Sequence, residues 1–146
     1  MKNQLTPEDR TYLLSLARKT IEHAVNRRQL PSWKESEISA DLKEKGATFV
    51  TLTMDGELRG CIGTLEAHQS LIEDVREHAY QSALEDYRFP PVTAGEISRL
   101  HIEISRLTAP EPLPYSKAED LPGLLHPGED GVVLKFGECK EHGRVQ

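Results

Sequence analysis

The turn Asp55-Gly56, which stands between two strand-like segments, most constrains how this chain can fold. Residues 47–54 are rich in Thr, Val and Phe, the residue types that favour strands. Glycine readily takes the positive φ of a type I′ turn, so residues 57–64 are predicted to return as the second strand of a hairpin. Because such a turn joins antiparallel strands, we expect a mainly antiparallel sheet.

The same turn also predicts the register of the hairpin. A two-residue loop places Leu52 opposite Arg59 and Val50 opposite Cys61. Side chains alternate between the two faces of a strand, so Cys61 is expected to share a face with the apolar Val50 and Leu52. Arg59 would lie on that face too, nearer the hairpin tip. A different turn length would shift this pairing.

Two amphipathic helices flank the hairpin in the sequence. The first is capped by Thr6 and runs to about Arg27, and the second is capped by Ser70 and runs to about Tyr87. Each helix has one apolar stripe that predicts a core-facing side. The stripes are Leu13, Leu16, Ala17, Ile21 and Ala24 in the first helix, and Ile72, Val75, Ala79 and Ala83 in the second. His78 is predicted to lie on the surface of the second helix.

Further strands and a short helix follow. Apolar residues alternate with polar ones over residues 100–104, and residues 132–136 form another strand-like run after a short predicted helix at 121–125. Helices that interleave with hairpin strands are typical of an α+β fold. The sequence therefore predicts the α+β class, with packed helices on a mainly antiparallel sheet. The 146 residues suit one domain, or two small lobes that share one core.

Charge and hydropathy weigh against several classes of protein. The formal net charge of −6 disfavours a dedicated nucleic-acid binder, because neutralising phosphates needs clustered Lys and Arg. No segment approaches the roughly 20 apolar residues that span a bilayer, and the polar N-terminus lacks an apolar signal core. We therefore expect no nucleic-acid partner, no membrane partner and a cytoplasmic location.

Cysteine and histidine spacing predicts neither a disulfide framework nor a metal site. The two cysteines, Cys61 and Cys139, are far apart and lack Cys-x-x-Cys spacing, and the six histidines form no His-x-His or His-x-x-x-His pair. Cys139 is interpreted as a free thiol. The residues indicate no particular cofactor, substrate or reaction.

The segment Leu58-Arg59-Gly60-Cys61-Ile62-Gly63-Thr64-Leu65, here called the signature segment, carries the main candidate site. Cys61 has three interpretations: a small buried core residue, which the predicted register favours; a reactive thiol assisted by the cation of Arg59; or a contact for a ligand or partner. Arg59 is alternatively a solvated strand residue. Gly60 and Gly63 predict close backbone packing, with an oxyanion-type role of nearby N–H groups as the alternative.

Other candidate residues lie close to the signature segment or further along the chain. Glu66 and His68 offer an acid and a base, with solvated loop residues as the alternative. Arg88 is expected to anchor the loop that contains Phe89 by hydrogen bonds to carbonyls or a carboxylate. The predicted catalytic residues are Cys61 and Arg59, and the predicted binding residues are Gly60, Gly63, Thr64, Glu66, Arg88 and Phe89.

Several segments agree in order and spacing with one known family. Besides the signature segment they are the strand 46–52, the run Asp86-Tyr87-Arg88-Phe89-Pro90-Pro91-Val92, the strand 100–107 with its exit at Pro110-Glu111-Pro112, and the loop 127–132. Together they resemble the AMMECR-one domain, also called AmmeMemoRadiSam system protein A. The resemblance extends over roughly residues 45–135.

The resemblance implies an α+β fold with two lobes. It also implies a component of an AmmeMemoRadiSam-type system, with a Memo-like protein and a radical SAM protein as partners. Such a component would act on or present a small molecule or a protein group at Arg59 and Cys61. The alternative function is a non-catalytic protein-binding module, which would use the signature hairpin and the loop 88–91.

The last residues of the chain depart from the family pattern. Family members continue past the strand 132–136 with a further strand, a loop and more helix and strand, whereas Glu138-Cys139-Lys140-Glu141-His142 follows here. We therefore expect a single AMMECR-one-like domain over residues 1–146 with an incomplete C-terminal lobe. Missing strands in such a lobe would expose apolar sheet edges.

Overall fold

The computed structural model describes residues 4–135 and 142–145 of the chain. These residues divide into two compact units, one that ends at Ala109 and one that begins at Pro110. The first unit combines helices with a three-stranded antiparallel sheet, which confirms the predicted α+β class.

The first helix, α1, spans Pro7–Val25. The Thr6 hydroxyl accepts a hydrogen bond from the backbone N–H of Asp9 at 3.1 Å, which confirms the predicted cap. Of the predicted apolar stripe of α1, four residues are buried as expected, Leu13, Leu16, Ala17 and Ile21, whereas Ala24 is only partly buried. A 3-10 turn, Glu35–Glu37, and a short helix, α2 (Ala40–Lys43), lead to the sheet.

The sheet of the first unit contains β1 (Ala47–Met54), β2 (Glu57–Gly63) and β3 (Leu100–Leu107) in the order β2-β1-β3. Asp55 and Gly56, at the turn between β1 and β2, have φ angles of 52° and 81°. Positive φ at both central residues is the signature of a type I′ turn. The predicted hairpin and its turn are therefore confirmed.

The predicted register of this hairpin is wrong beyond its first two residue pairs. Leu58 pairs with Thr53, but Gly60 pairs with Leu52, so Arg59 is an extra residue in a β-bulge. The bulge moves every later residue of β2 by one position. Cys61 consequently pairs with Thr51 and not with Val50.

The second long helix, α3 (Leu71–Leu84), ends three residues before the predicted end at Tyr87. The Ser70 hydroxyl caps it by accepting from the N–H of Glu73. A 3-10 helix, Ala94–Arg99, follows, and it begins with the capping box of Thr93. The core lies between α1, α3 and one sheet face, and its most buried apolar residues include Ala17, Ile21, Val50, Leu52, Leu71, Val75 and Ala79.

The second unit contains a 3-10 turn (Ala118–Asp120), a short helix α4 (Leu121–Leu124) and two antiparallel strands, β4 (Val132–Lys135) and β5 (His142–Val145). The predictions for Phe136 and Cys139 fall outside the described residues. No helix in the described part of the chain has both the length and the apolar composition that crossing a membrane would require.

Candidate functional site

Cys61 lies on the sheet face that points away from the core. Its neighbours in the ladder, Val50 and Leu52, are completely buried on the other face, while Cys61 and Thr51 are both partly exposed. The Cys61 Sγ is 3.2 Å from the Thr51 Oγ1. The prediction that Cys61 packs against apolar neighbours is therefore wrong, because the bulge at Arg59 reverses the face of every residue after it.

The backbone of Cys61 is held by the loop that follows α3. Its N–H donates to the Asp86 Oδ2 at 2.9 Å, and its carbonyl accepts from the Arg88 Nη2 at 3.2 Å. In the three-stranded sheet β2 is an edge strand, so these backbone groups point away from β1. Asp86 and Arg88 thus cover part of an edge that would otherwise expose unpaired polar groups.

Asp86 and Arg88 form a tight ion pair. The Arg88 Nε donates to the Asp86 Oδ1 at 3.0 Å and its Nη2 donates to Oδ2 at 2.7 Å, while Asp86 is only 4% exposed. The hydrogen bonds from Arg88 lower the pKa of Asp86 from 3.8 to about 2. The Arg88 guanidinium also lies 5.5 Å from the ring centroid of Phe89. The predicted anchoring of this loop by Arg88 is confirmed.

Arg59 is buried, at 9% exposure, and does not contact the thiol in the described hydrogen bonds. Its Nε and Nη2 donate to the two carboxylate oxygens of Glu96 at 2.9 and 3.1 Å. Glu96 also accepts from the N–H of Thr93 at 3.0 Å. The bonds from Arg59 lower the pKa of Glu96 from 4.5 to about 2. The interpretation of Arg59 as a solvated strand residue is wrong, because the residue is buried and its guanidinium pairs with Glu96.

Both glycines of the signature segment lie where a side chain would collide with backbone. A Cβ on Gly60 would overlap the carbonyl oxygen of Ser82, and a Cβ on Gly63 would overlap the carbonyl oxygen of Thr48 and the Phe49 ring. The prediction of close backbone packing is therefore confirmed.

Ser82, which sequence reasoning missed, connects α3 to both hairpin strands. Its hydroxyl accepts from the N–H of Ile62 at 2.9 Å and donates to the carbonyl of Val50 at 2.7 Å. Nothing in the local sequence distinguishes this serine from a solvated helix residue, because its partners lie on distant strands.

A buried polar cluster was also missed. The Asp74 Oδ2 accepts from the N–H and the hydroxyl of Thr48 at 2.8 and 2.7 Å, and it lies 3.1 Å from the His78 Nδ1. Burial alone would raise the pKa of Asp74, but the hydrogen bonds from His78, Thr48 and Gln69 outweigh burial and lower this pKa. The predicted surface position of His78 is wrong, since the residue is only 2% exposed.

The remaining predicted site residues lie beside this arrangement. Thr64 donates its N–H to the Thr48 carbonyl at 3.2 Å and its hydroxyl to the Glu66 carbonyl at 3.3 Å. Glu66 and His68 are exposed, and no hydrogen bond among the described residues joins their side chains to Cys61. Two surface clefts, of about 280 and 410 Å³, are lined by residues of α1 and α3 together with Leu30 and Gln69, and neither lining includes a residue of the signature segment.

The site therefore combines a half-exposed thiol, a hydroxyl and a guanidinium. The pKa of Arg88 is raised, first by its hydrogen bond to Asp86. In residues 4–135 and 142–145, no group of three or more His, Cys, Asp or Glu side chains is arranged to hold a metal ion.

The lowered pKa values of Asp86 and Glu96 predict acid-sensitive stability. A carboxyl whose pKa is lower in the folded state stabilises the fold above its ordinary pKa, and this contribution is lost as the pH falls towards the folded value. We expect the free energy of unfolding to decrease as the pH falls from about 4.5 to about 2. Asp86→Asn should lower stability at pH 7 and flatten this decrease in urea unfolding. An unchanged pH profile would contradict the prediction.

Comparisons with known proteins agree with this architecture. A model of the AMMECR1 family matches residues 14–143. A protein from Methanosarcina barkeri is 38% identical over 138 residues, which cover 93% of this chain and 68% of that protein. A protein from Methanothermobacter thermautotrophicus is 38% identical over 134 residues, which cover 89% of this chain and 67% of that protein.

A solved structure is also similar. The crystal structure of an uncharacterized protein from Pyrococcus horikoshii is 33% identical, with a TM-score of 0.79, over 92% of this chain and 66% of that one. The chain thus spans about two thirds of the length of these relatives. The family match over most of the sequence and the similar fold lead to one conclusion: this chain belongs to the AMMECR1 family.

Proposed function

We propose that the protein is a component of an AmmeMemoRadiSam-type system and that it acts on or presents a small molecule or a protein group at the surface around Cys61. A Memo-like protein and a radical SAM protein are the proposed partners. Membership of the AMMECR1 family supports the proposal. The single observation that carries it is the partly exposed Cys61 thiol beside the Thr51 hydroxyl.

A partly exposed thiol with a fixed backbone is suited to react with a ligand or to contact a partner protein. Cysteine is a strong nucleophile and also a soft contact residue. Its backbone is fixed on both sides by Asp86 and Arg88, so its orientation is set before a ligand arrives. Arg88 is a better candidate than Arg59 for the cation beside the thiol, because Arg88 is half-exposed and donates to the backbone carbonyl of Cys61, while Arg59 is buried against Glu96.

Alkylation tests this proposal directly. In a Cys139→Ala background, Cys61 should react with iodoacetamide faster than a cysteine in an unfolded peptide. Arg88→Gln should slow the reaction at least about threefold, because it removes the nearby charge and one of the two backbone clamps. Arg99→Gln is the matched control, since Arg99 is an exposed arginine paired with Asp55 and should have no effect. A rate no faster than that of the peptide would exclude an activated thiol.

A non-catalytic binding module is the second candidate function. The observation that favours it is Tyr87, which stands between Asp86 and Arg88 and is 95% exposed. Large aromatic side chains are enriched where proteins contact each other. Capture by an immobilised Memo-like protein separates the two functions. Loss of capture in Tyr87→Ser but not in Cys61→Ser would favour the module, while loss of turnover in Cys61→Ser would favour an enzyme.

A further inference from the structure

The signature hairpin has two plausible registers, and they place Cys61 on opposite faces. With a regular ladder from the Asp55-Gly56 turn, Cys61 would pair with Val50, which is completely buried in the core. With the observed bulge, Cys61 pairs with Thr51 on the partly exposed face. A shift of one residue exchanges the two faces of a strand, so the bulge alone decides whether the thiol is accessible.

Arg59 is the extra residue of the bulge, and its surroundings match its charge. Glu96 accepts both side-chain hydrogen bonds that Arg59 donates in the described part of the chain. The Nη1 of Arg59 is buried without a partner there. In the regular register Arg59 would lie opposite Leu52, the position that Gly60 takes in the observed ladder, so its backbone would be displaced relative to Glu96. Breaking a buried ion pair leaves an uncompensated charge, which disfavours that register.

Glu96 is itself held in place. Its Oε1 accepts from the N–H and the hydroxyl of Thr93 at 3.0 and 3.1 Å in the capping box of the 3-10 helix Ala94–Arg99. The carboxylate therefore presents a fixed bidentate acceptor to the bulge. A planar guanidinium fits such an acceptor better than the single ammonium of lysine.

We propose that Arg59 and Glu96 are positioning residues whose ion pair holds the bulge and so turns the Cys61 thiol to the accessible sheet face. The consequence for activity depends on the function proposed above, but the effect on register does not. Arg59 contributes to the site from the opposite face of the sheet, without touching the sulfur.

Disulfide capture measures the register. Because the N–H and carbonyl of Cys61 bond to Asp86 and Arg88, its pair with Thr51 is a non-hydrogen-bonded pair. In such pairs the Cα atoms are about 4.5 Å apart, which allows a disulfide. In a Cys139→Ala background, Thr51→Cys reports the bulged register and Val50→Cys the regular one. With Arg59 and Glu96 intact, only the Thr51→Cys reporter should crosslink to Cys61 under mild oxidation.

Arg59→Met is expected to lower the ratio of Thr51→Cys to Val50→Cys crosslinking at least about tenfold, measured in the fraction that remains folded. Glu96→Gln keeps the shape of the side chain and should lower the ratio at least about threefold. Thr93→Ser is the matched control: it keeps a hydroxyl for the capping box and should leave the ratio unchanged.

An unchanged ratio in folded Arg59→Met would overturn the inference. Where Arg59→Met does not fold, Glu96→Gln decides in the same way. The outcomes also separate this inference from the proposed function. Suppose that the crosslinking ratio falls in Arg59→Met, while Cys61 in the protein with Arg59 intact is alkylated no faster than the unfolded peptide. That result would refute the proposed function and support the positioning role of Arg59 and Glu96.

Discussion

Gly60→Ala is expected to lower the free energy of unfolding by about 3 kcal/mol, the upper part of the range for overpacking in a closely packed region. The added Cβ would overlap the carbonyl oxygen of Ser82, which is backbone in the last turn of α3 and cannot rotate away. Relief requires α3 to separate from β2. That movement would also weaken the bonds from Ser82 to Ile62 and Val50.

Gly95→Ala is the matched control for this substitution. A Cβ at Gly95 meets no atom within 4 Å, and its φ is not positive, so the change should alter stability by less than about 1 kcal/mol. Urea unfolding followed by circular dichroism measures both variants. Equal unfolding midpoints for the two alanine variants would show that β2 and α3 do not pack as closely as the structure indicates.

Asp74→Ala is expected to have the other large effect, a loss of about 4 kcal/mol. The substitution leaves the buried N–H and hydroxyl of Thr48 without their acceptor, and it removes the partner of the His78 ring. Because whole domains are stabilised by only about 5–15 kcal/mol, this variant should unfold at a much lower temperature and urea concentration.

Glu77→Ala is the control on the same helix. Glu77 is exposed and its side chain bonds only to Gln69 among the described residues, so its loss should change stability by less than about 0.5 kcal/mol. The loss of stability in Asp74→Asn should lie between those in Asp74→Ala and Glu77→Ala, because an amide keeps one acceptor oxygen but not the charge. A loss below about 1 kcal/mol in Asp74→Ala would show that the Thr48–Asp74–His78 cluster contributes little.

The features that the sequence predicts well depend on residues close together in the chain. The turn at Asp55 and Gly56 and the caps at Thr6 and Ser70 are all present. The apolar stripes of α1 and α3 are buried as their spacing predicts, except for Ala24, which is only partly buried. These signals are local because a turn or a cap forms among four or five consecutive residues.

The candidate site is predicted less well. The sequence draws attention to Arg88 and, in the signature segment, to Cys61 and the two glycines, and the structure places them together at the edge strand. The sequence does not indicate that Arg59 pairs with Glu96 and not with the thiol, or that His78 is buried. Polar residues in the core look like surface residues unless their partners are known, and these partners lie on other elements.

The amino-acid sequence by itself determined the α+β class, the hairpin, the helices and the family to which the chain belongs. The tertiary structure alone decided the register of β2 and therefore the exposure of Cys61. The partners of β2 are distant in the chain: Glu96, which pairs with Arg59, is 37 residues away from it, and Asp86, which accepts from the N–H of Cys61, is 25 residues away from it. The physical reason is that a two-residue turn permits more than one continuation of the ladder. Only packing against α3 and pairing with Glu96 make one of them lower in free energy.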